Sequence, residues 1–376
     1  MKNYIKQFCD YMKFVNYRRI VKHRIKKLKK CDLQKKNCKL FPTEIKKVLF
    51  IEASGCFGDG LYVSNLANLL HKKGIEVSFI LPKKDLRIFG KLSAVKEFFD
   101  LENLDDRNKA IEYSPDITID LEFAHNNNWN ERVDLLTRIN SYKITTADYL
   151  QNFNMFDEYI SYKDVDHFGK AIAKIYKRLT RESSVDIIKP YVSITDYNKD
   201  NACKIIENSF GIKRPLIYLN AIGSADNRSF SKEQLNLLVN ELSKLNVNVL
   251  YHGHYIGEND RFKEIPKCDF FDVCAIVSYS AAVITVDTSI CHVASACNVP
   301  QLTFFRGNCL EYYKKRLMSE YWAPLSDISI SAFENSDGFY ITKYNRGSQN
   351  ELPVSDISDD YLLKETNLFI NKLNLD

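Results

Sequence analysis

The amino-acid sequence predicts an α/β protein made of two Rossmann-like halves. Three observations carry this. Short apolar runs alternate with amphipathic helical stretches, the alternation restarts after Pro190, and 376 residues are too many for one average domain. Hydrophobic residues make up 45% and charged residues 27%, the balance of a folded globular chain.

The elements follow in order. Residues 1–40 hold 14 Lys and Arg against Asp10 and Asp32, a local net of +12; the whole chain is +5, so residues 41–376 carry −7. Within this arm Tyr4, Phe8, Tyr11 and Val15, then Val21, Ile25 and Leu28, recur at helical spacing. A basic amphipathic helix suits the surface of an anionic membrane; packing on the body of the protein and nucleic-acid binding are the rival readings. The run through Val48-Leu49-Phe50-Ile51 reads as a buried parallel strand. A turn over Ser54–Gly60 leads to a helix with Val63, Leu66, Ala67 and Leu70 on one face and Gly74 as its stop. Strands are expected at 75–81 and 117–121, and a helix over 165–180, where Phe168, Ala171, Ile172, Ile175, Tyr176 and Leu179 share a face.

In the second half, a strand at 216–219 and a polar loop at 220–229 precede a helix opened by the capping-box pair Ser231 and Gln234. Strands at 247–251, 283–286 and 302–305 follow, and a last helix spans about 355–373. The expected organisation is a basic arm (1–45), a first Rossmann-like domain (46–185), a second (186–354) and a C-terminal helix (355–376) that crosses back to the first domain.

Several classes are disfavoured. No apolar run reaches the roughly 18–20 residues of a membrane-spanning helix, and the first forty residues lack a signal-peptide core, so the expected location is cytoplasmic. Ten cysteines form no C-x-x-C pair, which argues against a disulfide or zinc framework. The loop Gly55-x-x-Gly58-Asp59-Gly60 lacks the dinucleotide-binding spacing, which disfavours hydride transfer.

Four motifs could carry chemistry. Thr285-Val286-Asp287-Thr288-Ser289-Ile290-Cys291-His292 reads as strand, polar turn and helix; such a helix N-terminus attracts anions, to which Thr288 and His292 add a hydroxyl and an imidazole. Asp59, between two glycines, reads equally as a general base or as a cap of the following helix. Arg228, in the loop that begins at Asn220 and contains Gly223, suits phosphate oxygens better than a bare surface role at a helix start. Asp164-Val165-Asp166 stands at a helix N-terminus, where capping is favoured over metal binding; His252-Gly253-His254 lacks an evident metal-binding companion and reads better as a loop lining the nucleotide pocket or as a satisfied structural pair.

Taken in order over roughly 46–373, these pieces resemble the heptosyltransferase-like glycosyltransferases (glycosyltransferase family 9), the group of the ADP-heptose:lipopolysaccharide heptosyltransferases. The matching residues are Lys47–Ile51 with Gly58-Asp59, Asp116–Leu121, Asp166-His167-Phe168, Gly223–Phe230, Val286-Asp287-Thr288 through Ala296, Val299-Pro300, Phe305–Gly307 and Trp322-Ala323-Pro324. The resemblance implies a GT-B fold, two Rossmann-like domains facing a cleft, with the acceptor held by the first half and the nucleotide-sugar by the second. It implies Asp59 as the catalytic base, within an acceptor-side loop containing Gly55, Gly58 and Gly60. Gly223, Arg228, Asp287, Thr288, Ser289 and His292 are implied on the donor side. It further implies an inverting, metal-independent transferase with no cofactor, which moves a sugar, heptose first with hexose or N-acetylhexosamine as alternatives, from a nucleoside-diphosphate sugar to a lipopolysaccharide, lipooligosaccharide or related envelope glycan. The arm of residues 1–40 would touch the inner face of the bacterial cytoplasmic membrane, and nucleic acid is not an expected partner. Ser289 stands where the family has Gly, Ile290 where Pro is frequent and Phe230 where Trp is common. These departures leave a second reading, a non-catalytic carbohydrate-binding or envelope-assembly protein on a degenerate GT-B scaffold.

Overall fold

The computed structural model describes residues 39–52, 56–89, 92–121, 128–147, 150, 153–162, 164–211, 213–254, 256–257, 259–307, 317–334 and 353–373, together with Lys26. Nearly all of the basic arm, and Gly55, lie outside the described residues. The chain divides into two compact units, residues 1–188 and 189–376.

The first unit holds a sheet of strands β1 (Lys47–Glu52), β2 (Glu76–Leu81), β3 (Val95–Asp100), β4 (Ile117–Leu121), β5 (Tyr142–Thr145) and β6 (Glu158–Tyr159), in the order β3-β2-β1-β4-β5-β6. Every pairing is parallel. A parallel sheet needs a crossover between neighbouring strands and is covered on both faces, so its central strands are apolar throughout. Val48, Leu49, Phe50 and Ile51 of β1 are accordingly fully buried. The helices are α1 (Phe57–Lys72), α2 (Leu86–Phe89), α3 (Leu104–Glu112), α4 (Trp129–Arg138) and α5 (Phe168–Thr180). Tyr62 of α1 and Phe168 of α5 meet edge to face at 5.2 Å between ring centres.

Helix α1 stops at the predicted place. Gly74 takes φ +77°, a left-handed conformation that costs glycine little, and its N–H donates to the His71 carbonyl. Its start differs from expectation. The helix begins at Phe57 rather than after Gly60, with the Gly60 N–H already donating to the Cys56 carbonyl. Helix α5 is capped by His167, whose Nδ1 accepts from the Gly169 N–H at 2.9 Å. Asp166 and Asp164 instead pair with Lys170 and Lys174, so the cap expected of the acids belongs to their neighbour.

The second unit repeats the topology. Strands β7 (Leu216–Asn220), β8 (Asn248–His252), β9 (Phe262–Glu264), β10 (Ala282–Val286), β11 (Gln301–Phe304) and β12 (Ser329–Ala332) lie in the order β12-β11-β10-β7-β8-β9, again all parallel. Its helices are α6 (Asp196–Ser209), α7 (Lys232–Leu242), α8 (Phe270–Tyr279), α9 (Ser289–Ala296), α10 (Met318–Tyr321) and α11 (Asp359–Ile370). The capping box of Ser231 and Gln234 forms at the start of α7. Helix α11 packs within this unit: Leu362 and Phe369 join the core with Leu235, Leu238, Phe304 and Leu302, and the Gln234 side chain donates to the Val354 and Ile357 carbonyls just before it. Both sheets therefore have the Rossmann strand order. Its switch point, where successive connections leave in opposite directions, lies between β1 and β4 in one unit and between β7 and β10 in the other.

One polar pair lies deep in the first unit. Arg132 of α4 donates to Asp120 of β4 at 2.7 Å, both side chains being 1% exposed, and the guanidinium lies 5.1 Å from the Trp129 ring centre. Removing one member leaves a buried charge without its partner. Arg132→Met is expected to lower unfolding free energy by about 3–5 kcal/mol, which urea denaturation followed by circular dichroism would measure; a loss under 1 kcal/mol would show that the pair is dispensable.

Candidate functional site

Open α/β sheets bind ligands beyond the carboxyl ends of their strands, at the switch point. In the second unit that position is formed by the end of β7, the end of β10 and the start of α9. Thr288 is the N-cap of α9, and its Oγ1 accepts from the Ile290 N–H at 3.2 Å. The Ile290 and Cys291 N–H groups donate to the Thr288 hydroxyl and carbonyl, and the positive end of the helix, beginning at Ser289, lies at the sheet edge. Ser289 is the first helical residue and has no positive φ, so the backbone at this turn does not demand glycine.

Around this turn the sequence-predicted donor-side residues come together. Arg228 approaches the turn from the loop after β7, where Nη1 lies 3.4 Å from the Asp287 carboxylate. Asp287 is nearly buried, and its N–H donates to the Phe304 carbonyl, which ties the turn to β11. Gly223 makes the Arg228 loop feasible: a Cβ there would sit 2.5 Å from the Arg228 Cβ and 2.6 Å from its carbonyl oxygen. The Gly223 N–H donates to Ser229 Oγ at 3.0 Å, which closes the loop. Phe230 is buried and meets Phe304 edge to face at 5.3 Å, so an apolar aromatic anchors the loop without a ring N–H.

His292 lies one helical turn beyond Thr288. It is 4% exposed and its ring centre is 5.6 Å from that of Trp322. Arg306, just past β11, is a largely enclosed cation at the carboxyl edge of this sheet.

Asn220 and His252 form a polar cluster at the carboxyl ends of β7 and β8, and the pairing of the two is not apparent in the sequence. Asn220 is the last residue of β7 and is 2% exposed. Its Nδ2 faces Ile222 O (3.1 Å), Thr285 Oγ1 (3.1 Å) and Thr288 Oγ1 (3.4 Å), and its Oδ1 faces His252 Nδ1 at 3.2 Å. The available signal was one polar residue ending an otherwise apolar strand. Desolvation lowers the His252 pKa from its ordinary 6.5, against an opposing pull from Glu264, although the residue as a whole is exposed at the strand end.

In the first unit Gly58, Asp59 and Gly60 occupy the first turn of α1, the helix that follows β1. Cys56 is the N-cap and makes no side-chain capping bond. Asp59 thus carries its carboxylate in the first turn, where the helix dipole favours negative charge. Next to it, the Arg87 guanidinium of α2 lies 4.9 Å from the ring centre of Phe57. Among the described residues no three His, Cys, Asp or Glu side chains converge as a metal-binding group, and no helix is long and apolar enough to cross a membrane.

Comparison with protein-family models returns no match, and comparison with curated proteins returns none either. Comparison with solved structures does. A glycosyltransferase family 9 structure from Veillonella parvula superposes with TM-score 0.69 at 14% identity, covering 89% of this chain and 100% of that one. E. coli ADP-heptose LPS heptosyltransferase II gives 0.61 at 15% identity, with 87% and 99% covered. E. coli heptosyltransferase WaaC with ADP gives 0.58 at 11%, with 88% and 100% covered. The chain therefore has the GT-B-like fold of these transferases, two Rossmann-like units in series.

Two outcomes are expected at this edge. Gly223→Ala should displace Arg228 and lower the melting temperature, and thermal unfolding of the variant beside wild type would measure it; an unchanged melt would mean that the loop relaxes freely. The His252 shift sets a pH dependence. Its stabilising contribution is complete above the unfolded-state pKa of 6.5 and falls as pH drops from there through the lowered folded-state value, because the unfolded chain takes up the proton first. The stability of His252→Gln should accordingly fall less than that of wild type between pH 7 and 5.

Proposed function

We propose that the protein is an inverting glycosyltransferase that uses a nucleoside-diphosphate sugar as donor and a glycan or glycolipid as acceptor. The observation that carries this reading is the meeting of Arg228, the Thr288 hydroxyl and the α9 N-terminus at the switch point of the second sheet. These groups suit a diphosphate, and a GT-B-like fold gives that diphosphate a role as leaving group. The ADP and heptose named for the similar structures make ADP-heptose the first donor to test.

In the proposed reaction the acceptor oxygen bonds to the anomeric carbon from the face opposite the diphosphate. The carbon–oxygen bond to the diphosphate breaks, its electron pair leaves with the diphosphate, and the configuration inverts. The Asp59 carboxylate takes the acceptor's hydroxyl proton. Arg228, the Thr288 hydroxyl and the α9 amides hold the growing negative charge by oriented hydrogen bonds, and that is where their transition-state contribution lies. Asp287 sets the position of Arg228. Gly58, partly exposed and without a side chain, leaves the backbone beside Asp59 accessible to a bulky acceptor. The basic arm would hold the enzyme near an anionic membrane carrying a lipid-linked acceptor.

The test is a thermal-shift and titration panel of ADP, UDP, GDP and CDP with their sugar conjugates. At least one diphosphate should bind, and Arg228→Ala should weaken it about 10- to 100-fold, the worth of a charge-assisted hydrogen bond. Absence of affinity for every nucleotide would instead favour a non-catalytic carbohydrate-binding scaffold. Asp59→Ala is expected to cut turnover by at least about a hundredfold while diphosphate affinity stays nearly unchanged; equal turnover would remove Asp59 from the mechanism. EDTA should leave the rate unaltered.

A further inference from the structure

We infer that Asn220 and His252 are positioning residues that turn the Thr288 hydroxyl into an obligate hydrogen-bond donor toward the diphosphate. The inference rests on the donor site proposed above and concerns residues that touch the reaction only through Thr288.

Register brings the residues together. Thr285 of β10, Asn220 of β7 and His252 of β8 are direct partners across three parallel strands, so their side chains leave the sheet on the same face. Their bonding capacities then fix which atom donates. Ile222 O can only accept. Thr285 Oγ1 donates its hydrogen to Val286 O at 3.0 Å, so toward Asn220 it too can only accept. The Asn220 amide must therefore turn its Nδ2 to these oxygens, with its two hydrogens shared among Ile222, Thr285 and Thr288. Oδ1 is then left facing His252 Nδ1 at 3.2 Å, and that nitrogen must carry a proton. The imidazole donates there in both its neutral and its charged form, so the relay survives titration of the ring.

The consequence falls on Thr288. Its Oγ1 accepts from the Ile290 N–H at 3.2 Å and shares the Asn220 Nδ2 hydrogens at 3.4 Å, so both lone pairs face donors. Its own hydrogen is bound to none of the described residues. A serine or threonine hydroxyl ordinarily rotates between donating and accepting; this one is held ready to donate, the state an anionic oxygen requires.

The experiment is a double-mutant cycle on the full chain, with ADP, UDP, GDP and CDP titrated calorimetrically at fixed pH and salt. Thr288→Val should weaken the diphosphate that binds best by about tenfold, the worth of one well-placed hydrogen bond. Asn220→Ala should weaken it by a similar factor in the wild-type background and by nothing further in Thr288→Val. His252→Ala, at a partly exposed position, provides the same cycle if the Asn220 variant does not fold; it should show a smaller loss that also vanishes without the Thr288 hydroxyl. Equal losses in both backgrounds would make the two residues direct ligands or merely structural and would overturn the relay. So would an Asn220 or His252 variant that binds like wild type, or a Thr288→Val variant that does, and in each case the donor site itself would stand. If the wild type binds none of the four diphosphates, the donor site falls and the relay falls with it.

Discussion

The pairing of β7 with β10 is the constraint on which the second unit depends. The two strands lie side by side and parallel, yet they are separated in sequence by α7, β8, β9 and α8. The chain leaving β7 passes toward β8, and the chain leaving β10 passes through α9 toward β11 on the other side. The connections diverge, and the carboxyl edge between them stays uncovered by backbone. Every residue assigned to the donor side follows from that divergence. Asn220 ends one strand, Thr288 caps the helix after the other, and the Arg228 loop folds back toward the edge because Gly223 admits it.

The electrostatics of this edge are balanced rather than strongly positive. Asp287, nearly buried beside the turn, is paired with Arg228, so part of the guanidinium's charge is already answered before any ligand arrives. In the proposed donor role, an anion would be held here through direction more than through net charge. Helix amides and a donating hydroxyl need no reorganisation when charge develops, which is the feature that lowers a barrier in a partly enclosed site. The same logic accounts for Ser289. The first residue of α9 has ordinary helical backbone, so serine keeps the turn closed, and what it changes is the space beside the amides rather than their orientation.

Much of the architecture was legible in the sequence because burial writes a clear pattern. Leu216–Leu219 and Val283–Val286 are continuous apolar runs, and Gly74 and the Ser231/Gln234 pair mark helix ends by local chemistry. What escaped notice lacked such contrast. β3 alternates irregularly, with Lys96 and Glu97 both exposed at a sheet edge. α8 is largely apolar around its circumference, so its periodicity is blunted, although Asp269 and Asp272 form a capping box at its start. The first turn of α1 was read as loop because Gly58 and Gly60 are poor helix formers; at an N-terminal turn, adjacent to a sheet edge, their cost is outweighed by the packing of Leu61, Val63 and Leu66 that follows. At the site, Thr288 and Arg228 were visible by residue type and spacing. The pairing of Asn220 with His252 was not, because it depends on cross-strand register, and no local pattern encodes which strands will be neighbours.

Identity of 11–15% with structures of the same fold is understandable on these terms. The sheet requires apolar strands of suitable length and helices with one apolar face, and many sequences meet that demand. The switch point requires less still: a strand end, a cap and a cation, each replaceable by a chemically similar residue. Phe230 shows the latitude, because it anchors its loop on Phe304 through shape alone. The residue with least latitude is Asn220. A hydrophobic residue there would remove the amide's hydrogen bonds to Ile222, Thr285 and His252, and an aspartate would offer acceptors where donors are needed. Buried, and positioned by two neighbouring strands at once, its amide converts the topology of the sheet into the direction of a single hydroxyl proton.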